Sequence, residues 1–180
     1  MVGHAPAEAA PPQAPPRPTF AEVASSCLDP VVRFLAHATG DRAAAEDLAA
    51  DTFERALRAW SSYDPSRGTP LVWLVGIARR LALDHFRSER RRREREARWA
   101  AADGRRTQEP SAPGGLSPAL RAALGRLNPA DREVIALRVV LGLDTREAAA
   151  VTGSTPSAVT TQLHRAMTRL RREVSRDEVA

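Results

Sequence analysis

The sequence predicts an all-α protein made of two small helical domains joined by a flexible linker. Three observations lead there. No run of alternating apolar and polar residues is bounded by turn residues, so nothing reads as a strand. Apolar residues instead recur every three or four positions, between Ser/Thr/Asn/Asp or Pro at the starts and Gly at the ends. The stretch AADGRRTQEPSAPGG, residues 101–115, has no apolar period and divides the chain. With 180 residues, the chain has room for one ordinary domain or two small ones. The expected organisation is a disordered Pro/Ala-rich extension over 1–18, a three-helix domain over 19–99, a linker over 100–116, and a helix-turn-helix domain over 117–177.

The extension, MVGHAPAEAAPPQAPPRP, has almost no large apolar side chains and cannot bury a core. Phe20, Val23, Ala24, Cys27, Val31, Phe34 and Leu35 then fall at helical spacing. Pro30 lies inside that pattern and predicts a break or kink. In GDRAAAEDLAADTFERALRAW, residues Leu48, Thr52/Phe53, Ala56/Leu57 and Trp60 fall on one face of a second helix. SSYDPSRG is a turn, punctuated by Asp-Pro and Gly. Thr69 and Pro70 are the cap and first-turn proline of a third helix. Its buried stripe runs Leu71, Leu74, Ile77/Ala78, Leu81, Phe86. Beyond Phe86 the sequence is mostly Arg and Glu. There the helix is expected to persist as an overhang through the i,i+4 pairs Glu89–Arg93 and Glu94–Arg98.

In the second module, Ser117–Pro118 opens a helix running to about Leu127. Asn128–Pro129 opens another, with Val134, Ile135, Leu137/Arg138 and Leu141 in period before Gly142. DTREAAAVTG is a short helix from the cap Asp144 to Gly153. STPSAVTTQLHRAMTRLRREV is a longer one, capped by Ser154 or Thr155, with Val159, Leu163, Ala166/Met167, Leu170 and Val174 inward. A short helix, a tight Gly turn and a longer helix make the helix-turn-helix layout. The exposed start of the second helix offers Ser157, Thr160, Thr161, Gln162, His164 and Arg165 to base edges or phosphates; Arg169 follows, suited to phosphate.

Charge points the same way. The net charge is +5, and all 27 basic residues are Arg, whose planar fork suits phosphate and guanine. Against this excess, Asp47, Asp51 and Glu54 share one helix face with Glu46 beside it. That is an arrangement suited to docking on a basic protein surface. Tyr63 in the turn is the candidate for stacking on an unpaired base, while Trp73 reads as core. The single cysteine, Cys27, allows no internal disulfide and fits a reducing compartment. His4, His37, His85 and His164 have no metal-ligand spacing. There is no nucleophile constellation or glycine-rich phosphate loop, so neither an enzyme nor a bound metal or cofactor is expected. No stretch approaches the ~20 apolar residues of a membrane span, and the N-terminus lacks a signal-peptide layout. A cytoplasmic protein without membrane insertion is expected.

Taken together, AEDLAADTFERALRAW, YDPSRGTPLVWLVGIARRLALDHFRSERRR and LNPADREVIALRVVLGLDTREAAAVTGSTPSAVTTQLHRAMTRLRREV resemble regions 2.1–2.2, 2.3–2.4 and 4.1–4.2 of an extracytoplasmic-function sigma factor. This is the minimal two-domain class of the bacterial sigma-70 family. The resemblance implies binding to core RNA polymerase at its beta-prime clamp helices and beta flap, direction to promoter DNA, and control by an anti-sigma protein. It also implies association with the nucleoid when active. By position, Glu46, Asp47, Asp51 and Glu54 would face the clamp helices. The turn Ser61–Gly68, with Ser61, Tyr63, Asp64 and Arg67, would wall a pocket for a flipped −10 base. Arg79, Arg80, Leu83, Asp84 and Arg87 would lie along the −10 reading helix, followed by Arg90, Arg91, Arg92 and Arg93 on phosphates. Ser157, Thr160, Thr161, Gln162, His164, Arg165 and Arg169 would serve the −35 element, and the linker would run toward the RNA-exit path. The residues by themselves also fit a stand-alone helix-turn-helix regulator that is no polymerase subunit.

Overall fold

A computed structural model describes residues 18–100 and 117–178. The N-terminal extension up to residue 17 and the linker over 101–116 lie outside them. Every regular element among the described residues is helical. Helix α1 (Phe20–Thr39) opens with a capping box: the Thr19 hydroxyl accepts from the Glu22 amide, and the Glu22 carboxylate accepts from the Thr19 amide at 2.8 Å. It ends at Gly40, whose φ of 74° is left-handed. Helix α2 (Arg42–Arg58) follows, capped by Asp41. Two 3-10 turns (Trp60–Ser62 and Pro65–Arg67) lead to α3 (Pro70–Ala100).

In the second module, α4 (Pro118–Arg126) and α5 (Pro129–Ile135) start at the Ser117 and Asn128 caps, each with Pro in the first position. Helix α6 (Thr145–Thr152) runs from the capping box of Asp144 and Glu147 to Gly153. Helix α7 (Pro156–Glu178) is capped by the Thr155 hydroxyl, which accepts from the Ala158 amide at 3.2 Å.

Three expectations need correction. Pro30 makes no break: it lies inside one continuous α1. Val23 and Cys27 before it and Val31, Phe34 and Leu35 after it are all buried, and this packing outweighs the roughly 3 kcal/mol that an interior proline costs. The helix after Pro129 does not stay regular. At Ala136–Val140 it widens into a π turn, where the Leu141 amide donates to the Ala136 carbonyl at 3.0 Å. The Arg138 guanidinium donates to the Leu143 carbonyl just beyond, closing the turn around Gly142. The α3 overhang is helical as expected, but its ion pairs are Arg90–Glu94, Glu89–Arg92 and Arg92–Glu96 rather than Glu89–Arg93 and Glu94–Arg98.

In the first module α1, α2 and α3 pack mutually; in the second, α4, α5 and α6 pack around α7. The modules also touch. Helix α6 packs on α3, and α1 packs on α5 and its π turn, so the buried apolar residues form one continuous cluster. Phe34, Leu35 and Leu74 are fully buried on one side, and Leu137, Val134 and Val159 on the other.

Candidate nucleic-acid interface

The exposed face of α2 carries Glu46, Asp47, Asp51 and Glu54. Glu46 is paired with Arg42 at 2.9 Å, and Glu54 with Arg58. Asp47 and Asp51 have no ion-pair partner among the described residues, so they supply the net negative charge of that face.

The turn after α2 is built around rings. Trp60 stacks on Tyr63 with centroids 5.0 Å apart and planes 9° apart, Trp73 tilts against both, and Phe20 meets Trp60 edge-on. The Tyr63 hydroxyl donates to the Gly68 carbonyl at 2.9 Å. Tyr63 is 5% exposed. The expectation that it offers a stacking surface to a base is therefore corrected: its ring already faces Trp60. Ser61, Asp64 and Arg67 are exposed around it. The Asp64 carboxylate accepts from the Ser66 hydroxyl at 2.7 Å and its amide at 2.9 Å, which holds its pKa below the usual value. Gly68 closes the turn with φ 145°, a region that only glycine enters readily.

Along α3, Arg80, Asp84, Arg87, Arg90 and Arg91 are exposed and Leu83 is half-buried. Asp84 and Arg87 pair at 3.0 Å. Arg79 differs from its neighbours. Its guanidinium donates to both carboxylate oxygens of Glu133, at 2.6 and 3.4 Å, across the boundary between the modules. A cleft of about 1170 Å³ lies between the two modules, lined by His37, Arg87, Arg90, Arg93, Arg121 and Arg132 among others. Burial, with the Arg33 charge second, pushes the His37 pKa down.

On α7, Ser157, Thr160, Thr161, His164, Arg165 and Arg169 are exposed and Gln162 is half-buried. The Thr160 hydroxyl bonds back to the Pro156 carbonyl at 3.1 Å. Gln162 donates to the Ala130 carbonyl at 2.9 Å, and Arg169 to the Asp131 carboxylate at 2.5 Å. Two expected readers are thus tied to the first turn of α5, while His164 and Arg165 have no ion-pair partner among the described residues.

Comparisons with known proteins agree with this layout. The sigma-70 region 2 profile matches residues 23–92, and the sigma-70 region 4 profile matches residues 117–170. The chain is 37% identical over 156 residues to the ECF RNA polymerase sigma factor BldN of Streptomyces coelicolor, covering 85% of this chain and 59% of that protein. It is 34% identical over 143 residues to the RNA polymerase sigma factor CarQ of Myxococcus xanthus, covering 77% and 79%. The chain belongs to the extracytoplasmic-function class of the sigma-70 family. Its fold is similar to that of the sigma factor RpoE solved with the anti-sigma factor NepR from Bartonella quintana. That likeness has a TM-score of 0.68 and 25% identity, and covers 87% of this chain and 96% of that one. CnrH, solved with the cytosolic domain of CnrY, gives a TM-score of 0.63 at 26% identity over 88% of each chain. The chain spans 59% of BldN and about half, 49%, of the SigI relatives from Mycobacterium tuberculosis.

Sequence reasoning missed three residues of this sigma-family chain: Asp131, Arg132 and Glu133. All lie in the first five residues of α5, and each holds a distant partner. Arg132 donates to the Ala38 carbonyl of α1 at 3.3 Å and to the Leu127 carbonyl at 2.8 Å, and burial lowers its pKa. The signal was present but unread: three consecutive charged residues just inside a proline-started helix, with Val134 and Ile135 burying the next turn. Among the described residues no cluster of His, Cys, Asp or Glu could hold a metal ion, and no helix is long and apolar enough to cross a membrane.

Proposed function

We propose that this chain is a promoter-specificity subunit of RNA polymerase. It docks on core polymerase through α2 and brings α3 and α7 to two promoter elements, acting as a binding protein rather than an enzyme. The observation that carries this reading is the division of charge. Asp47 and Asp51 have no ion-pair partner among the described residues of an otherwise Arg-rich chain, while two basic helices sit on separate modules in the order of regions 2 and 4. A stand-alone DNA-binding regulator has no use for the acidic face.

In this reading Glu46, Asp47, Asp51 and Glu54 meet the beta-prime clamp helices, and region 4 meets the beta flap. Ser61, Asp64, Arg67, Arg80, Leu83, Asp84, Arg87, Arg90 and Arg91 serve the −10 element. Thr160, Thr161, His164 and Arg165 read the −35 element, with Ser157, Gln162 and Arg169 supporting. The module boundaries near 19–99 and 117–177 and the linker between them follow from the same assignment. An anti-sigma protein restrains the chain, as the solved complexes of RpoE with NepR and CnrH with CnrY suggest by analogy. The site of action is the cytoplasm, at the nucleoid.

Purified chain and core polymerase should give promoter-dependent transcripts from a library of genomic fragments. Asp47→Arg with Asp51→Arg should abolish co-purification with core while the melting curve is retained. Absence of any specific transcript, with DNA binding intact without polymerase, would favour the stand-alone regulator.

A further inference from the structure

The second module contains a buried carboxylate with no place in the assigned contacts. Asp131 is 4% exposed. It is itself fixed: its amide donates to the Asn128 side-chain oxygen at 2.8 Å, and its carboxylate accepts from the Asn128 amide group at 2.9 Å. The same carboxylate oxygen accepts from one terminal nitrogen of Arg169 at 2.5 Å. The Arg169 side chain is nonetheless 54% exposed. One nitrogen of its planar fork is therefore anchored, and the remaining donors face outward in a set orientation. Seven residues earlier on the same face of α7, Gln162 donates to the carbonyl of Ala130, the neighbour of Asp131. The first turn of α5 thus grips α7 at two points two helical turns apart, about 10 Å by helix rise. Arg165 lies between them, exposed and without an ion-pair partner among the described residues, in a groove with Ser157 and Thr161.

The geometry points to Asp131 as the positioning residue of the reading helix: it fixes Arg169 to meet a DNA phosphate in one register, leaving Arg165 as the arginine free to reach base edges. A loose arginine at position 169 would find a phosphate on any DNA in many registers, which raises sequence-independent affinity. An arginine tied at one nitrogen meets a phosphate well only when the helix is correctly seated, which favours the specific complex. The inference rests on the reading of α7 as the −35 helix.

The test uses full-length chain reconstituted with core polymerase, titrated on promoter and non-promoter duplexes over a range of salt. Asp131→Asn keeps the shape and removes the charge. The expected result is a roughly tenfold fall in the promoter-to-non-promoter affinity ratio, with the salt slope on non-promoter DNA steeper by about one. Arg169→Ala should lower the slope on promoter DNA by about one and make Asp131→Asn silent when the two are combined. Arg169→Lys, which keeps charge but loses the fork, should lose the ratio while melting as wild type does, so the test does not depend on Asp131→Asn being well folded. An unchanged ratio and slope in both Asp131→Asn and Arg169→Lys would overturn the inference, as would an Asp131→Asn effect that persists with Ala at 169. If wild-type holoenzyme selects no promoter at all, the −35 reading itself falls, and this inference with it.

Discussion

The two basic helices are braced in different ways. Helix α7 is held from within its own module: Gln162 and Arg169 bond to the first turn of α5, and α4, α5 and α6 surround its inner face. Helix α3 is held on its inner side by α1 and α2, but its Arg79 is claimed by Glu133 of the other module. One proposed reading face is therefore braced within its module, whereas the other has one of its arginines bonded to the neighbouring module. Any contact between Arg79 and DNA requires Glu133 to release it. A single turn, Asp131–Arg132–Glu133, touches both helices, so the brace of one and the cover of the other share one piece of backbone.

The largest expected effect tests whether the modules are coupled through their core. Leu74→Ala, at a fully buried position of α3, should lower unfolding stability by about 2–5 kcal/mol. Helix content and near-ultraviolet dichroism should fall in one transition; two separate transitions would mean that the shared cluster does not couple the modules. Next, Glu133→Gln should weaken the module contact by about 1–3 kcal/mol and enlarge the radius of gyration in solution scattering. Asp131→Asn, two residues away, should leave that radius unchanged; equal expansion in both would erase the distinction between the two braces. Arg165→Ala should cost about 1–3 kcal/mol against a preferred −35 base pair and much less on other sequences. A uniform loss over all duplexes would make Arg165 a phosphate contact, the role proposed for Arg169.

The smallest effect is a pH dependence at the edge of the inter-module cleft. Burial lowers the His37 pKa in the folded chain, so the unfolded chain holds that proton more tightly. His37 is neutral in both states well above its ordinary value of 6.5, and its contribution to stability is then intact. Stability should fall as pH drops through 6.5 and level off below the lowered folded value. His37→Gln should flatten that part of a denaturation-against-pH series.

The local features were legible in the sequence because local chemistry sets them. Ser117, Asn128, Asp144 and Thr155 start helices, Gly153 ends one, and the three- and four-residue spacing of Val159, Leu163, Met167 and Leu170 identifies the inner face of α7. The acidic face of α2 and the exposed arginines of α3 could be read for the same reason. Features that depend on tertiary contact could not. Pro30 signals a break by its covalent geometry, yet α1 runs through because the core holds both of its halves. Tyr63 reads as a turn residue and is captured by Trp60 and Trp73. Arg79 and Glu133 are 54 residues apart, and Arg169 and Asp131 are 38 apart, so nothing in either local pattern announces the pairing.

The ring cluster at the start of α3 also gives the protein a built-in optical reporter. Two of its three tryptophans, Trp60 and Trp73, lie within 6 Å of each other and of its one tyrosine. Excitation absorbed by Tyr63 should pass to the indoles at that range. Anything that pries the turn open should then separate donor from acceptor and shift the indole emission toward the red. The opening of the turn assigned to the flipped base can thus be followed in real time on the unlabelled chain.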